Sequence, residues 1–145
     1  MPADEAQEIR ERMADAFGNA LVVVPAIDTG PCRVCLRRPT DAEQMILLAY
    51  RPLGGRGPYS EIGPIFIHAH DCAPYASDDR LTDMTGANAS VVVRAYGGGS
   101  IVDAELADGA HADSTVRRFL DRKDVEVVHI RSSTYGCWTY SVTRC

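Results

Sequence analysis

Short segments in which apolar residues alternate with other residues make up most of the sequence, and they limit the folds open to it. The clearest is Pro64–His70, where Ile65 and Ile67 would point to one side of a strand and Phe66 and His68 to the other. The other strand-like segments are Leu21–Ile27, Cys32–Leu36, Gln44–Tyr50, Ser90–Tyr96, Ser100–Leu106, Val125–Arg131 and Cys137–Arg144. The pattern predicts a protein built mainly from strands, in which Cys32–Leu36 and Gln44–Tyr50 form a hairpin.

Two segments have the three-to-four spacing of apolar residues that is typical of helices, Asp4–Phe17 and Asp113–Asp121. These helices do not alternate with the strands, so an α+β fold with a mostly antiparallel sheet is favoured over an α/β fold. The 145 residues are enough for one domain. We therefore expect a single domain over 1–145, with an N-terminal helix within 1–18, a core over 19–145 and one later helix.

Charge and hydropathy exclude several partners. The net charge of −5 and the pI near 5.3 argue against binding to nucleic acid. No apolar run approaches the roughly 18–20 residues that cross a bilayer, which predicts no membrane partner. The first residues, MPADEAQEIRERMAD, are acidic and polar and do not resemble a secretory signal. A cytoplasmic protein is the expectation, and the sequence leaves the oligomeric state open, a homo-oligomer included.

Two neighbouring motifs carry potential metal ligands. Cys32 and Cys35 form a C-x-x-C pair, and His68, His70 and Cys72 follow a strand-like run. Three cysteines and a histidine are a usual zinc set, so we predict zinc at Cys32, Cys35, His68 and Cys72, with His70 as a substitute ligand. Four protein ligands would make the site structural, whereas three with an open position could be hydrolytic.

The cysteines have other interpretations. A reversible Cys32–Cys35 disulfide is one, and buried thiols beside a surface histidine are another. The sequence holds five cysteines, so a framework made only of disulfides would leave one unpaired.

Arginine dominates the basic residues, with fourteen arginines and a single lysine, Lys123. A GC-rich coding sequence would explain this bias, but some of these arginines could also clamp a carboxylate or phosphate. Convergence of two strand arginines with Tyr59, Tyr75 or Tyr96 would form a pocket for an anionic ligand. The arginines at strand positions are Arg33, Arg94, Arg131 and Arg144.

One pair suggests nucleophilic catalysis. Cys137 and His129 lie on consecutive strand-like segments, which could bring a thiol near an imidazole, but no third, orienting group is apparent. The sequence contains no P-loop, no G-x-G-x-x-G and no G-x-S-x-G motif. Chemistry with ATP, dinucleotides or an α/β-hydrolase triad is therefore poorly supported.

Several stretches in order resemble an uncharacterised bacterial family, the domain of unknown function 1203. They are PCRVCL with a following DAE and LLAYRP, then PYSEIGPIFIHA, RAYGGGSIVDA, and VVHIRSSTYGCW with the terminal Arg144. The resemblance runs from about Pro31 to Arg144, and it implies no assigned activity. The residues shared with the wider family pattern are Cys32, Arg33, Tyr59, Arg94, Tyr96, Gly136, Cys137 and Arg144.

The resemblance also bears on the metal. Many relatives resemble PCRVSL and GPIFVR at the first two stretches, which implies that they lack counterparts of Cys35 and His68. A zinc site here would then belong to one branch and would support the fold. We expect a zinc-stabilised module that binds an anionic small molecule or a protein partner. The alternative is an enzyme acting on an anionic metabolite through an arginine-lined pocket, with a reactive cysteine or an open zinc site.

Overall fold

The computed structural model describes residues 1–55, 57–76 and 90–144. The chain divides into two compact units, unit 1 (Met1–Arg51 and Ile62–Ala76) and unit 2 (Pro52–Glu61 and Ser77–Cys145). The expected α+β class is confirmed, because the described part contains one α-helix in each unit and two antiparallel sheets. The domain bounds over 1–145 stay a prediction, and a polar loop expected over residues 78–89 lies outside the described residues.

Unit 1 combines helix α1 (Ala3–Arg12) with the strands β1 (Val22–Pro25), β2 (Gln44–Tyr50) and β3 (Gly63–His68). The sheet order is β1-β2-β3, and both pairings are antiparallel. Strand β2 has the bounds that its sequence pattern predicts. Its central position explains why it carries apolar residues on both faces. The buried apolar residues of β2 and β3 are Met45, Ile46, Leu48, Ile65 and Ile67.

Helix α1 ends five residues earlier than its apolar spacing predicts. Met13 adopts a left-handed conformation with φ 50°, which stops the helix after Arg12. The buried carboxylate of Asp15 then accepts hydrogen bonds from the backbone N–H groups of Phe17 and Asn19, from the Asn19 amide, and from Ala49 N–H at 3.1 Å. In a longer helix the backbone N–H groups of Phe17 and Asn19 would bond to helix carbonyl oxygens. Here they bond to the Asp15 carboxylate, so the chain forms a turn at Asp15.

Replacing Asp15 by asparagine is expected to lower the free energy of unfolding by about 1–3 kcal/mol at neutral pH. The new NH2 group would face at least one donor that the second carboxylate oxygen now satisfies. Burial alone would raise the pKa of Asp15, but hydrogen bonds from Asn19, Phe17 and Ala49 outweigh burial and lower the pKa. The ionised form therefore stabilises the fold above the unfolded-state pKa of about 3.9, and this stabilisation is lost as the pH falls through the native pKa.

Urea unfolding of the wild type and Asp15→Asn, at neutral pH and again below about pH 4, measures both effects. The difference between the two proteins should shrink at the lower pH. Asp28→Asn is the matched control, since Asp28 is exposed and its positive φ of 61° suits asparagine equally well. A loss as large for the control, or one that does not depend on pH, would contradict this account.

The hairpin predicted from Cys32–Leu36 and Gln44–Tyr50 is wrong. Cys32 makes only an isolated bridge with Phe66, residues 33–35 form a turn, and β2 pairs with β1 and β3 instead. The apolar residues of CRVCL resemble a strand because the turn is packed inward, with Cys32 and Val34 buried.

The described part of unit 2 contains the strands β4 (Ser90–Gly97), β5 (Ser100–Asp108), β6 (Val127–Ser132) and β7 (Trp138–Val142), a 3-10 turn (Gly109–His111) and helix α2 (Ala112–Leu120). The four strands form an antiparallel sheet with the order β5-β4-β6-β7. As predicted, the glycines after residue 96 join β4 and β5 in a hairpin.

The two faces of this sheet differ in chemistry. Helix α2 lies on one face, where Thr115 and Arg118 donate to the carboxylate of Glu105 on β5. The opposite parity of β4 and β6 places two arginines, a tyrosine and a histidine on the other face. These residues are Arg94, Tyr96, His129 and Arg131. The strand pairing of β4 with β6 thus assembles polar groups that are distant in sequence.

Neither described helix has the length and apolar character that a membrane-spanning helix requires.

Candidate functional site

The Cys-x-x-Cys motif forms a tight turn in unit 1. Cys32 N–H donates to the carbonyl oxygen of Arg37 at 3.0 Å, and Leu36 N–H donates to that of Cys32 at 2.9 Å. Leu36 is left-handed with φ 55°, which closes the turn and places Cys35 beside Cys32. The N–H groups of Val34 and His68 both lie 3.4 Å from Cys32 Sγ. The turn therefore presents two sulfurs together and supplies hydrogen bonds to one of them.

Strand β3 delivers the other two side chains. His68 is the last residue of β3, and Cys72 follows in the irregular segment after it. Arg33 N–H donates to the carbonyl oxygen of Phe66 at 2.9 Å, and Tyr75 N–H donates to that of Val34 at 3.0 Å. These backbone hydrogen bonds hold the turn between the end of β3 and the segment that carries Cys72.

The predicted ligand set converges. The potential ligand atoms of Cys32, Cys35, His68 and Cys72 all lie within 4.8 Å of one another. The Cys32 and Cys72 sulfurs are 3.7 Å apart, and Cys35 Sγ is 3.6 Å from His68 Nδ1. A tetrahedral zinc with ordinary bond lengths has S–S and S–N edges of about 3.8 and about 3.6 Å. The donor set and these two edges therefore fit a tetrahedral zinc ion.

The three thiols of the cluster are not equivalent. Burial raises the pKa of each, but at Cys32 the backbone N–H groups of Cys35, Val34 and His68 reverse the effect, so its net pKa is lowered. Burial raises the pKa of Cys35, and burial together with the charge of Cys32 raises that of Cys72 to about 12. Without a cation, the protein therefore stabilises one thiolate, at Cys32. A bound metal ion would supply the charge that the other two thiolates need.

The fourth candidate ligand, His68, is fully buried and its orientation is fixed from outside the cluster. Its Nδ1 faces the sulfurs, while Nε2 lies 3.7 Å from Glu43 Oε1 and 3.3 Å from Arg37 Nη2. Burial lowers the pKa of His68, which favours the neutral imidazole that metals bind. A metal on Nδ1 would put the proton on Nε2, on the side of Glu43 Oε1 at 3.7 Å, and would exclude the hydrogen bond that Arg37 Nη2 donates to an unprotonated Nε2.

Glu43 is itself held firmly. Arg37 donates to both of its carboxylate oxygens, at 2.6 and 2.9 Å, and Thr40 N–H donates at 2.7 Å. These bonds, those from Arg37 first, keep the pKa of Glu43 far below its usual range. His70 stacks on His68 with ring centroids 4.9 Å apart, and its Nε2 is 3.5 Å from Glu43. His70, predicted as a substitute ligand, lies beside the candidate set and outside it.

A second polar cluster lies in unit 2, on the sheet face opposite α2. Glu61 bridges two arginines, with Oε1 2.8 Å from Arg94 Nη1 and Oε2 2.5 Å from Arg131 Nη2. Both guanidinium groups also donate to the hydroxyl oxygen of Tyr96, at 3.2 and 3.4 Å. Arg131 Nε donates to the carbonyl oxygen of Gly136 at 2.9 Å. We call Glu61, Arg94, Tyr96 and Arg131 the arginine cluster.

The family model of a protein of unknown function, DUF1203, matches residues 29–144. The chain belongs to the DUF1203 family. The match includes all four candidate metal ligands and the arginine cluster, and helix α1 precedes it. The resemblance inferred from the ordered motifs is thereby confirmed. No curated protein and no solved structure matches the chain.

Two of the remaining residues predicted for anion binding bond to backbone carbonyl oxygens in this DUF1203 chain, and the third is exposed. Arg144 Nη1 donates to the carbonyl oxygens of Leu120 and Arg122, at 2.7 and 3.1 Å, and so satisfies backbone groups at the end of α2. Arg33 belongs to unit 1, is buried, and donates to the carbonyl oxygen of Pro31. Tyr59 is exposed in the segment that precedes Glu61.

The predicted Cys137–His129 pair is not linked by a hydrogen bond or ring contact in the described part of this DUF1203 protein. The Cys137 thiol donates to the carbonyl oxygen of Tyr135 at 3.7 Å. His129 is buried between the rings of Tyr96 and Trp138, at centroid distances of 4.7 and 6.3 Å. A catalytic role for the pair stays a prediction.

Two acidic residues at these sites were missed by sequence reasoning. Glu43 reaches His68 because the antiparallel β2–β3 register places the start of β2 opposite the end of β3, with Met45 facing His68. Knowledge of that register would have identified Glu43. Glu61 lies in a Gly/Pro-rich segment, and no spacing rule connects such a segment with Arg94.

Proposed function

We propose that this DUF1203 protein is a zinc-stabilised module whose unit 1 is held by a structural zinc ion on Cys32, Cys35, His68 and Cys72. The observation that supports the proposal is the convergence of the four ligand atoms within 4.8 Å. Three thiolates and one imidazole favour zinc over calcium or magnesium, which prefer oxygen ligands. When bound, zinc supplies four coordinate bonds between two segments that are separated in the sequence.

A structural role fits the site better than a catalytic one. Four protein ligands complete a tetrahedron, and a hydrolytic zinc needs a position for water. Glu43 would place a negative charge beside the Nε2–H of a zinc-bound His68, as carboxylates do beside many zinc-bound histidines. The enzymatic alternative would need a coordination position beyond these four side chains or an activated cysteine.

We further propose that the module binds an anionic small molecule, in preference to a protein partner. The arginine cluster of unit 2 supports this part, since it gathers two guanidinium groups around one carboxylate. Arg131 is buried and the side chain of Arg94 is 23% exposed, so neither arginine is merely solvated.

Elemental analysis of tag-free protein, purified without chelator or added metal, tests the zinc site. We expect about one zinc per chain, because structural zinc sites with thiolate ligands bind tightly. Of the five cysteines in the sequence, only the two outside the site, Cys137 and Cys145, should react with a thiol reagent before denaturation. Cys137→Ser is the matched control and should retain the metal, whereas Cys35→Ser should lose it. Metal-free protein with five reactive thiols would contradict the proposal.

A further inference from the structure

We propose that the arginine cluster binds the carboxylate group of a small monoanionic ligand next to Glu61, on the Nε–Nη2 edge of Arg94, which has no acceptor among the described residues and is called the free edge below. This inference rests on the proposed anion binding and adds the ligand class and the atoms that would recognise it. It uses none of the four candidate metal ligands, and every residue it uses belongs to unit 2.

The charges of the cluster do not balance among the described residues. Arg94 and Arg131 carry two positive charges, and Glu61 supplies one negative charge. The neighbouring His129 adds no charge at neutral pH, because burial, helped by the charges of Arg131 and Arg94, lowers its pKa to about 4. Among the described residues one positive charge is therefore left on two arginines whose side chains are 23% and 9% exposed, and burying an unpaired charge is costly. A ligand with one negative charge would neutralise it.

The donors of the cluster are only partly used. Arg131 donates from Nε, Nη1 and Nη2, so all three of its nitrogens are engaged. Arg94 donates only from Nη1, and within residues 1–55, 57–76 and 90–144 neither its Nε nor its Nη2 has a hydrogen-bond acceptor. Nε and Nη2 form the side edge of a guanidinium group, whose parallel N–H bonds match the two oxygens of a carboxylate.

Tyr96 offers one more donor. Its hydroxyl oxygen accepts from both arginines, which leaves its hydrogen without a described acceptor. The side chain of Arg94 is 23% exposed, whereas Tyr96 is 2% exposed. A ligand would therefore approach from the solvent side of Arg94, with Tyr96 lying deeper.

The surroundings strengthen binding at this place. The rings of Tyr96, His129 and Trp138 pack in succession and are all buried, so the arginines that donate to the Tyr96 hydroxyl lie beside a buried aromatic group. Charge-assisted hydrogen bonds are stronger in such an environment than in bulk solvent. Nδ1 of His129 is buried, and no described atom partners it.

A carboxylate is favoured over a phosphate for two reasons. One carboxylate, that of Glu61, already bonds both guanidinium groups, although it uses Arg94 Nη1 and Arg131 Nη2 and leaves the proposed edge unoccupied. A phosphate would bring about one and a half to two negative charges next to Glu61, more than the single unbalanced positive charge of the cluster can offset.

The experiment measures protection against heat and the Arg94 Nε–H signal in a ¹⁵N spectrum, with sodium acetate, sodium benzoate or inorganic phosphate added. Sodium chloride at equal ionic strength is the reference. We expect acetate and benzoate to raise Tm and to shift the Arg94 signal saturably. Arg94→Lys should lose this protection, because lysine has no paired donors. Arg118→Lys should keep it, since Arg118 is an exposed arginine of the same unit whose partner is Glu105.

Glu61→Gln provides a second test, in which carboxylate binding should become stronger and not weaker. The amide retains an acceptor for one arginine but removes the negative charge beside the free edge of Arg94. We expect carboxylates to bind this variant about tenfold more tightly, a change of about 1.4 kcal/mol. Equal or weaker binding would contradict a ligand position next to Glu61. If Arg94→Lys is too unstable for its Tm to be compared, the shift of the wild-type Arg94 Nε–H signal and the carboxylate affinity of Glu61→Gln still test the proposed binding edge.

The outcomes separate the ligand class from the anion function itself. Protection by carboxylates that depends on Arg94 supports both proposals. Protection by phosphate but not by acetate or benzoate contradicts a carboxylate ligand and still supports anion binding. Carboxylate protection that persists in Arg94→Lys overturns the assigned edge. No effect of either anion beyond that of chloride, in the wild type and in Glu61→Gln, overturns both.

Discussion

Replacing Cys35 by serine is expected to lower the free energy of unfolding of the zinc-loaded protein by about 3 kcal/mol or more. Cys35 is one of three thiolates of the proposed site, and its sulfur lies 3.6 Å from His68 Nδ1. Serine has nearly the same shape, so packing changes little, but its hydroxyl group is neither ionised nor soft and is a poor zinc ligand. Urea unfolding followed by circular dichroism, with zinc in excess, measures the loss.

Two comparisons isolate the metal as the cause. Cys137→Ser should change stability by less than about 0.5 kcal/mol, because Cys137 is outside the site and its thiol makes only one long hydrogen bond. Adding a chelator should destabilise the wild type, so that its free energy of unfolding approaches that of Cys35→Ser. If the full difference persists in chelator, Cys35 contributes through packing alone and the structural zinc must be abandoned.

Gly97→Ala is expected to destabilise unit 2 by about 3 kcal/mol. A Cβ on Gly97 would lie 1.7 Å from the carbonyl oxygen of Asp124, well inside van der Waals contact. The peptide group of Asp124 cannot rotate this oxygen away, because the residues that follow it are fixed. Glu126 N–H donates to the carbonyl oxygen of Tyr96 at 2.8 Å, and Val125 is fully buried. The main chain must therefore shift, which weakens the hydrogen bonds between β4 and the segment that leads into β6.

Gly63→Ala is the matched control. Gly63 also stands at a strand end, its φ lies outside the left-handed region, and no atom lies within 4 Å of an added Cβ. We expect this variant to be neutral or slightly more stable, since alanine restricts the unfolded chain. Thermal unfolding of both variants gives the comparison. Equal Tm values for the two would mean that the contact with Asp124 costs nothing.

The sequence predicts an element well where its local conformational preference agrees with its packing in the folded protein. Strand β2 has the predicted bounds because a continuous apolar run suits a central strand buried on both faces. The β4–β5 hairpin was predicted because three glycines separate two alternating segments. In both cases local preference and tertiary packing favour the same conformation.

Prediction fails where a tertiary contact overrides local preference. The apolar spacing of Asp4–Phe17 continues past Met13, but the buried hydrogen bonds of Asp15 stop the helix. The CRVCL segment has strand-like composition, yet it forms a turn that directs Cys32 and Cys35 together. Neither outcome is visible in local propensity, because each depends on atoms that are distant in sequence.

In the candidate sites, too, some residues could be predicted from local sequence and others could not. The four candidate metal ligands could be predicted because zinc sites draw on few residue types at restricted spacings. The grouping of Arg94 with Tyr96 follows from strand parity. Glu43 and Glu61 could not be predicted, since strand register brings one to His68 and an irregular segment brings the other to the arginines.

The position of the Cys-x-x-Cys turn along the chain has a mechanical consequence. With zinc bound, the bonds at Cys32 and Cys72 close a ring around the 40-residue step between them, which contains all of β2 and β3. A pulling force applied to the chain outside this ring would bypass it, and roughly 130–140 Å of extensible chain would stay hidden. Because each segment supplies two ligands, that length would be released only after both metal bonds of one segment had broken.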